Sequence, residues 1–335
     1  MPENDAARLY YLKYLINSSY RLARSSIITR PMKRNPIILL IFQSLTALTA
    51  SSQHDKSALE KEIYFSNPGL KTKTVQIRNH FRNISGHYVG CGFFIYAKHD
   101  YYLVANYHLV PGRAFSDTTL SAVDGKTVVD GGLFPEKFAI IYHTKKYDQS
   151  VDSLYDFFDA EGKPLFVSIP PDTEKLTPFE PEITDLIFYK IRPPAGAVVD
   201  TVNIFNLEEK GSIVNNALLS IWGFRGSHSL DGQYPDYVDT ALSLRDRRQP
   251  LKNKFLFFHI DRDLGGDSGG PTYVSRDGHW TFAGMHCTTL RQSEFDKCKI
   301  ETIKNYGTDV GVFLSAFYIK SAFNKFVLHP RLHGR

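Results

Sequence analysis

From about Thr74 onward the chain is cut into short, apolar, β-forming runs, and no other feature constrains its fold so strongly. The runs are Phe93 to Tyr96, Tyr101 to Ala105, Phe138 to Tyr142, Leu165 to Val167, Leu186 to Ile191, Leu218 to Trp222, Phe255 to Ile260 and Thr281 to Met285. Gly, Pro, Asp and Asn gather between them, as in Ala97-Lys98-His99-Asp100, Asp124-Gly125, Glu161-Gly162-Lys163-Pro164 and Arg276-Asp277-Gly278. Aromatic and β-branched residues suit a pleated, half-buried surface, and the intervening residues reverse the chain. Many short strands so punctuated predict an all-β sandwich or barrel. The break at Arg192-Pro193-Pro194-Ala195-Gly196 divides the strand-rich region into nearly equal halves and reads as a linker between two barrels. Gly112 to Glu182 is longer than a compact barrel needs and is expected to add a hairpin. Only the C-terminus has helical periodicity: Ala316, Ile319, Phe323 and Phe326 fall on one face, which is expected to dock on the second barrel.

With 335 residues, 42% of them hydrophobic, the chain can bury a full core. Its 40 Lys and Arg exceed its 35 Asp and Glu only slightly and form no basic block, so no nucleic-acid partner is expected. Three cysteines cannot make a disulfide framework. Cys287 and Cys298 can close one bridge in an oxidising compartment, the alternative being that Cys287 points inward. Cys91, in Val89-Gly90-Cys91-Gly92-Phe93-Phe94, reads as a buried, inert thiol.

Met32, Lys33-Arg34, the run Ile37 to Phe42 and the small residues from Thr46 to Ser52 follow the order of a secretory signal, with an apolar run too short for a stable span. Export is expected, to the periplasm or beyond, with no stable membrane span after signal removal. The expected organisation is an upstream extension or mis-called start at 1–31, a signal at 32–52, a lead-in at 53–74, a first barrel at 75–192, and a second barrel with C-terminal helix at 197–326.

The chemistry centres on Gly265-Gly266-Asp267-Ser268-Gly269-Gly270-Pro271. A serine that attacks a carbonyl needs backbone N–H groups aimed at the oxyanion it creates, and a glycine-rich turn brings two of them close without side-chain collision. Gly266 and Ser268 are placed to supply that oxyanion hole. The same letters match the nucleophile elbow of α/β-hydrolases, which must lead into a helix and be followed by an acid and a histidine. Here Thr272-Tyr273-Val274 favours a strand, and only 67 residues remain after Ser268, so the elbow is set aside.

Acyl transfer by serine also needs a general base, and an acid that holds the base in the right tautomer. Tyr101 to Val110 reads as a strand ending in His108, and Asp185 stands at the mouth of the apolar strand Leu186 to Tyr189. Alone, each is an ordinary strand-end residue. Together with Ser268 they fall in the order His, Asp, Ser, at spacings of 77 and 83 residues.

Gly92-Phe93-Phe94-Ile95 with Leu103-Val104-Ala105-Asn106-Tyr107-His108, Thr184-Asp185-Leu186-Ile187, and Gly266-Asp267-Ser268-Gly269-Gly270-Pro271 resemble the histidine, aspartate and serine motifs of the trypsin-like, chymotrypsin-fold serine peptidases. The similarity continues through Asp277-Gly278, Trp280-Thr281 and Gly284, covers roughly residues 75 to 320, and is greatest to bacterial trypsin-like peptidase domains. The resemblance implies two antiparallel six-stranded β-barrels with a C-terminal helix. It also implies a serine endopeptidase (a hydrolase) in which His108, Asp185 and Ser268 are catalytic and the substrate is a polypeptide. No cofactor or metal is implied, and no cluster has zinc spacing. The alternatives are a catalytically silent binding protein of the same family and an esterase using the same triad.

The pattern also departs from that family. No Ile-Val-Gly-Gly-like segment opens the domain, so a different cation or a backbone bond is expected to meet Asp267, and activation by cleavage is not expected. The resemblance places Arg262 and Asp263 on one wall of the substrate pocket and His286, Cys287 and Thr289 on another. Arg262 at the pocket floor argues against cleavage after Lys or Arg. His286 falls where glutamate-specific relatives keep a histidine, which suggests an acidic preference. The rival reading pairs Arg262 with Asp263 and makes His286 a core residue.

Overall fold

A computed structural model describes residues 56–80, 87–109, 137–144, 150–169, 184–205, 217–224, 237–244, 255–259, 267–290, 292 and 309–330. The signal segment, and with it the export expectation, lies outside them. The described chain is mostly β, as its punctuation predicts, and its strands form two antiparallel units.

The first unit comprises β1 (Val75–His80), β2 (His87–Ala97), β3 (Asp100–Ala105), β4 (Lys137–Thr144), β5 (Ser150–Asp156), β6 (Phe166–Ile169), β7 (Thr184–Ile191) and the short β8 (Ala197–Val198). Its pairing order is β5-β4-β1-β2-β3-β7-β6, with β8 on β4. The second unit comprises β9 (Leu218–Gly223), β10 (Tyr237–Leu244), β11 (Phe255–His259), β12 (Pro271–Arg276), β13 (His279–Leu290) and β14 (Val310–Ser315). These close a six-stranded barrel in the order β10-β11-β14-β13-β12-β9.

The double-β, chymotrypsin-like architecture therefore holds, with three differences of detail. The second unit has the expected six strands; the first has eight, and among the described residues its path is not closed. The chain also leaves the first unit later than residue 196, because β8 pairs with β4 and Thr201 bridges Phe94. The third difference concerns the C-terminal helix, described below.

Local chemistry explains the turns. The β2–β3 hairpin turns on Lys98 and His99, and the β12–β13 hairpin on Asp277 and Gly278, each a two-residue loop with both φ positive. That turn type matches the right-handed twist of the strands it joins. In the first unit Tyr142 and Tyr155 share a 2.6 Å hydroxyl–hydroxyl hydrogen bond, and Tyr189 donates to the Asp156 carbonyl at 2.6 Å. Burial pushes the Tyr189 hydroxyl up to about 12, so it remains a neutral donor through the physiological range.

The core is divided by strand alternation. In β2, β3 and β7, Phe94, Leu103, Ala105, Ile187 and Tyr189 face the interior of the first unit. Their neighbours Phe93, Ile95, Val104, Leu186 and Phe188 face the other way and are buried as well. That outer face meets Trp222, Tyr273, Phe282, Met285 and Leu314 of the second unit in one continuous core, while Leu219, Ile221, Val274, Ala283 and Phe313 fill the second barrel's own interior. Strands buried on both faces read as unbroken apolar runs, which is why Phe93 to Ile95 and Leu186 to Tyr189 stand out in the sequence.

The chain ends on either side of the strand region seal this shared core. The helical residues 56–66 bring Ile63 into it and the short helix Pro68–Lys71 brings Leu70, while Tyr64 stacks on Trp222 at 5.9 Å. Glu60, buried in the same helix, accepts from the backbone N–H and the hydroxyl of Thr240 on β10 at 3.1 and 3.2 Å. At the other end, the helix Ala316–Ala322, capped by the Ser315 hydroxyl, buries Ala316, Ile319 and Ala322, and the π-helical turn Phe323–Leu328 follows. The apolar stripe is as expected, but it does not dock on the second barrel alone. Phe323 lies edge-on to Tyr102 of β3 at 5.1 Å and to Phe188 of β7 at 5.2 Å, so the helix spans both units. No helix among the described residues is long and apolar enough to cross a membrane.

Because Phe323 is fully buried where both units meet, Phe323→Ala is expected to cost about 3–5 kcal/mol. Urea unfolding followed by the fluorescence of Trp222 and Trp280 and by far-UV circular dichroism should show one cooperative transition moved to lower urea. Two separated transitions in the wild-type protein would contradict a shared core.

Candidate active site

The serine turn is fastened on both sides. Within it the Gly270 N–H bonds the Asp267 carbonyl at 2.7 Å, closing the turn. Gly269 donates to the His286 carbonyl at 2.9 Å, and His286 donates back to the Gly270 carbonyl at 3.0 Å, so the turn lies against β13 of its own barrel. The Ser268 carbonyl accepts from the Cys91 N–H on β2 at 2.7 Å, which ties the same turn to the first unit. The side chain of Ser268 is half-buried, and the chain then enters β12. A strand follows the serine, as the sequence reading requires, and not the helix of a nucleophile elbow.

Two close approaches explain the glycines around the turn. Gly269 has φ +83, and a Cβ there would overlap the Cys91 carbonyl oxygen. A side chain at Gly223, the last residue of β9, would overlap the carboxylate of Asp267, which is fully buried. Asp267 is thus packed against the β9 strand end, whose Trp222 is stacked on the N-terminal helix by Tyr64.

His108 lies in a 3₁₀ turn, Tyr107–Leu109, that follows β3 directly. The turn is held on three sides. Leu109 is buried in the first unit's core, Tyr107 meets Phe166 of β6 edge-on at 6.3 Å, and the Leu109 N–H bonds the Asn106 carbonyl at 3.3 Å. The His108 imidazole is outside the described side chains. Asp185, half-buried, is the second residue of β7 and lies two positions beyond the last β3–β7 pair, Ala105 with Ile187. It sits in an irregularity: Ser168 pairs with Ile187 but Ile169 pairs with Thr184, so Asp185 and Leu186 bulge from the ladder with β6. Bulges re-aim side chains and are frequent beside functional sites.

A residue that the sequence reading left without a role joins these parts. Asn106, fully buried, donates from Nδ2 to the Asp185 carbonyl at 3.0 Å and approaches Cys287 Sγ at 3.4 Å. Its signal in the sequence was a polar residue at the end of an apolar strand, which reads equally well as a turn former.

Of the expected pocket residues, Arg262 and Asp263 lie outside the described residues, as does Gly266, expected in the oxyanion hole. His286 is 2% exposed, with its ring edge-on to Phe258 at 5.8 Å. Thr289 is half-buried on β13, opposite Gly311 of β14. Cys287 is a buried thiol whose sulfur donates to the Met285 carbonyl at 3.6 Å. The bridge to Cys298 that the spacing allows is therefore not made from Cys287, which points inward instead; Cys298 lies outside the described residues. Cys91 is a buried thiol, as expected.

No protein-family model matches the chain, and no curated protein sequence matches it. Among solved structures it is similar to AL20, a thermostable serine protease from an extremophilic microorganism, at 11% identity and TM-score 0.42, over 77% of this chain and 97% of that one. It is also similar to the active form of the Rv3671c protease from M. tuberculosis, at 14% identity and TM-score 0.39, over 80% and 88%. Both likenesses are weak.

Gly269→Ala combines an unfavourable φ with an overlap on the Cys91 carbonyl and is expected to cost about 2–4 kcal/mol. Gly162→Ala is the control, since Gly162 has φ +77 with nothing within 4 Å of a Cβ; only the backbone strain, about 1–2 kcal/mol, should remain. Equal costs in urea denaturation would mean that the approach of Gly269 to β2 does not hold the turn.

Proposed function

We propose that the protein is a serine endopeptidase that hydrolyses peptide bonds through an acyl-enzyme. In this reading Ser268 Oγ attacks the scissile carbonyl while His108 removes its proton. Asp185 orients the imidazole and stabilises its charged form. The carbonyl oxygen, now negative, is received by the backbone N–H groups of Gly266 and Ser268. His108 then returns the proton to the leaving amine, and a water molecule, deprotonated by the same histidine, releases the acyl group from Ser268.

The observation that supports this reading best is the set of bonds that gathers three distant segments. Cys91 N–H on the Ser268 carbonyl and Asn106 on both Asp185 and Cys287 draw the histidine turn, the aspartate bulge and the serine turn to one seam between the units. A nucleophile on a tight turn gains from such fixation, because misplacement by about 1 Å can cost 10²-fold in rate.

Ser268→Ala and His108→Ala are each expected to lower casein hydrolysis by about 10⁴–10⁶-fold, with the double variant little worse, since the residues act as a unit. Near-full activity in either single variant overturns the assignment. A fluorophosphonate probe that fails to label Ser268 would favour a silent binding protein, and labelling with ester but no casein turnover would favour an esterase.

The reading includes export, on the strength of the segment Met32 to Ser52. Mass spectrometry of the mature protein should find an N-terminus at about residues 48 to 53, after the small-residue stretch. An intact Met1 form confined to the cytosol would remove this part of the proposal.

A further inference from the structure

Asn106 sits in a place where a polar side chain is costly. It follows the last residue of β3, is fully buried, and is flanked by Ala105 of the first core and the turn that carries His108. An amide taken out of water is unfavourable unless its hydrogen-bonding groups are met. Nδ2 reaches the Asp185 carbonyl and Cys287 Sγ, while Oδ1 is buried with no hydrogen bond among the described residues. A buried polar group met in this way calls for an explanation in what its bonds hold together.

The two partners of Nδ2 share an unusual property: each is displaced from a regular ladder. Asp185 lies in the β7 bulge opposite β6. Cys287 is the extra residue of a bulge in β13, where His286 pairs with Phe313 and Thr288 with Val312. A bulge turns a group out of the direction that strand alternation would give it. Here one bulge from each unit turns a group toward the same buried amide, and the backbone carbonyl of that residue closes the 3₁₀ turn bearing His108. Cys287 in turn follows His286, whose backbone makes both bonds to the serine turn.

We propose that Asn106 is a positioning residue: its buried amide fixes the Asp185 bulge against the His108 turn and locks both to the β13 bulge beside the Ser268 turn. This rests on the reading of Ser268, His108 and Asp185 as nucleophile, base and acid. Asn106 itself touches no reacting atom. Its effect is on the geometry of the base and its acid, and so on the rate of the bond-making step and not on the capture of a ligand.

The experiment measures fluorophosphonate inactivation of the full chain, with mass spectrometry locating the label and a concentration series separating the maximal inactivation rate from the half-saturating concentration. Asn106→Ala removes the donor. Asn106→Asp keeps the side-chain volume, replaces the donating amide with a carboxylate facing the Asp185 carbonyl, and serves should the alanine variant not fold. Each is expected to label Ser268 to the same stoichiometry as the wild type but about 10- to 100-fold more slowly at saturation, with the half-saturating concentration little changed. A purely structural role predicts the reverse: fewer labelled molecules, each reacting at the wild-type rate. That result, or wild-type rates in both variants, overturns the proposal. Failure of the wild-type protein to label at Ser268 overturns the serine reading, and this proposal with it, and is told apart by the wild-type arm alone.

Discussion

Everything about the site follows from the fact that β2, β3 and β7 are buried on both faces. One face belongs to the first unit and the other to a core that the second barrel, the N-terminal helix and the C-terminal helix complete. Neither unit can satisfy its outer apolar face alone, so the two are held at a fixed relation by the hydrophobic effect, which is strong but has no direction. Direction comes from a few polar contacts set into that dry seam. In such surroundings a hydrogen bond is stronger than in water, and a missing one is more costly. The bonds from Cys91 to Ser268 and from Asn106 to Cys287 therefore set the register of the two units, and the bond from Asn106 to Asp185 fixes the aspartate bulge within the first, while the apolar side chains supply most of the energy.

What was legible in the sequence is what local physics determines. Phe93 to Ile95 and Leu186 to Tyr189 announced themselves because double burial leaves no polar alternation to hide them. Asp277-Gly278 was readable because few residues tolerate positive φ, and the serine turn because three backbones must pass close to one another there. The stripe Ala316, Ile319, Phe323, Phe326 marked a helix and its buried face, but not that Phe323 would reach β3 and β7. Strands such as β5, Ser150–Asp156, were faint: it lies at the edge of the sheet and its polar residues face water, which leaves no apolar run.

The features that were not legible are relations between strands distant in sequence. A bulge exists only with respect to a partner, so nothing in Thr184-Asp185-Leu186 or His286-Cys287-Thr288 could reveal one. The inward turn of Cys287 depends on the β13–β14 register, and with it falls the bridge that a ten-residue spacing made plausible. Asn106 bonds residues 79 and 181 positions away; its role is invisible to any local pattern. The eight-strand count of the first unit likewise depends on β8, two residues long, finding the edge of β4.

Among the described residues, the buried polar atoms without hydrogen bonds include Asn106 Oδ1, Thr272 Oγ1 and the Tyr273 hydroxyl, the last two on the strand that leaves the serine turn, and the hydroxyls of Thr72 and Thr74 ahead of β1. Well-packed interiors seldom leave such groups unmet.

The placement of the C-terminal helix bears on how the molecule comes to exist. A ribosome releases the chain from its N-terminus, and domains condense as their residues emerge. The outer face of β3 and β7 is finished by Phe323, which follows every described strand in the chain. Until that segment is free, the seam between the units has no lid, and the contacts that align the histidine and aspartate segments with the serine turn lack their dry surroundings. A partly synthesised chain would carry the histidine, aspartate and serine segments and still lack the environment that aligns them. The fold in this way makes synthesis of the helix after β14 a condition for closing the seam between the units.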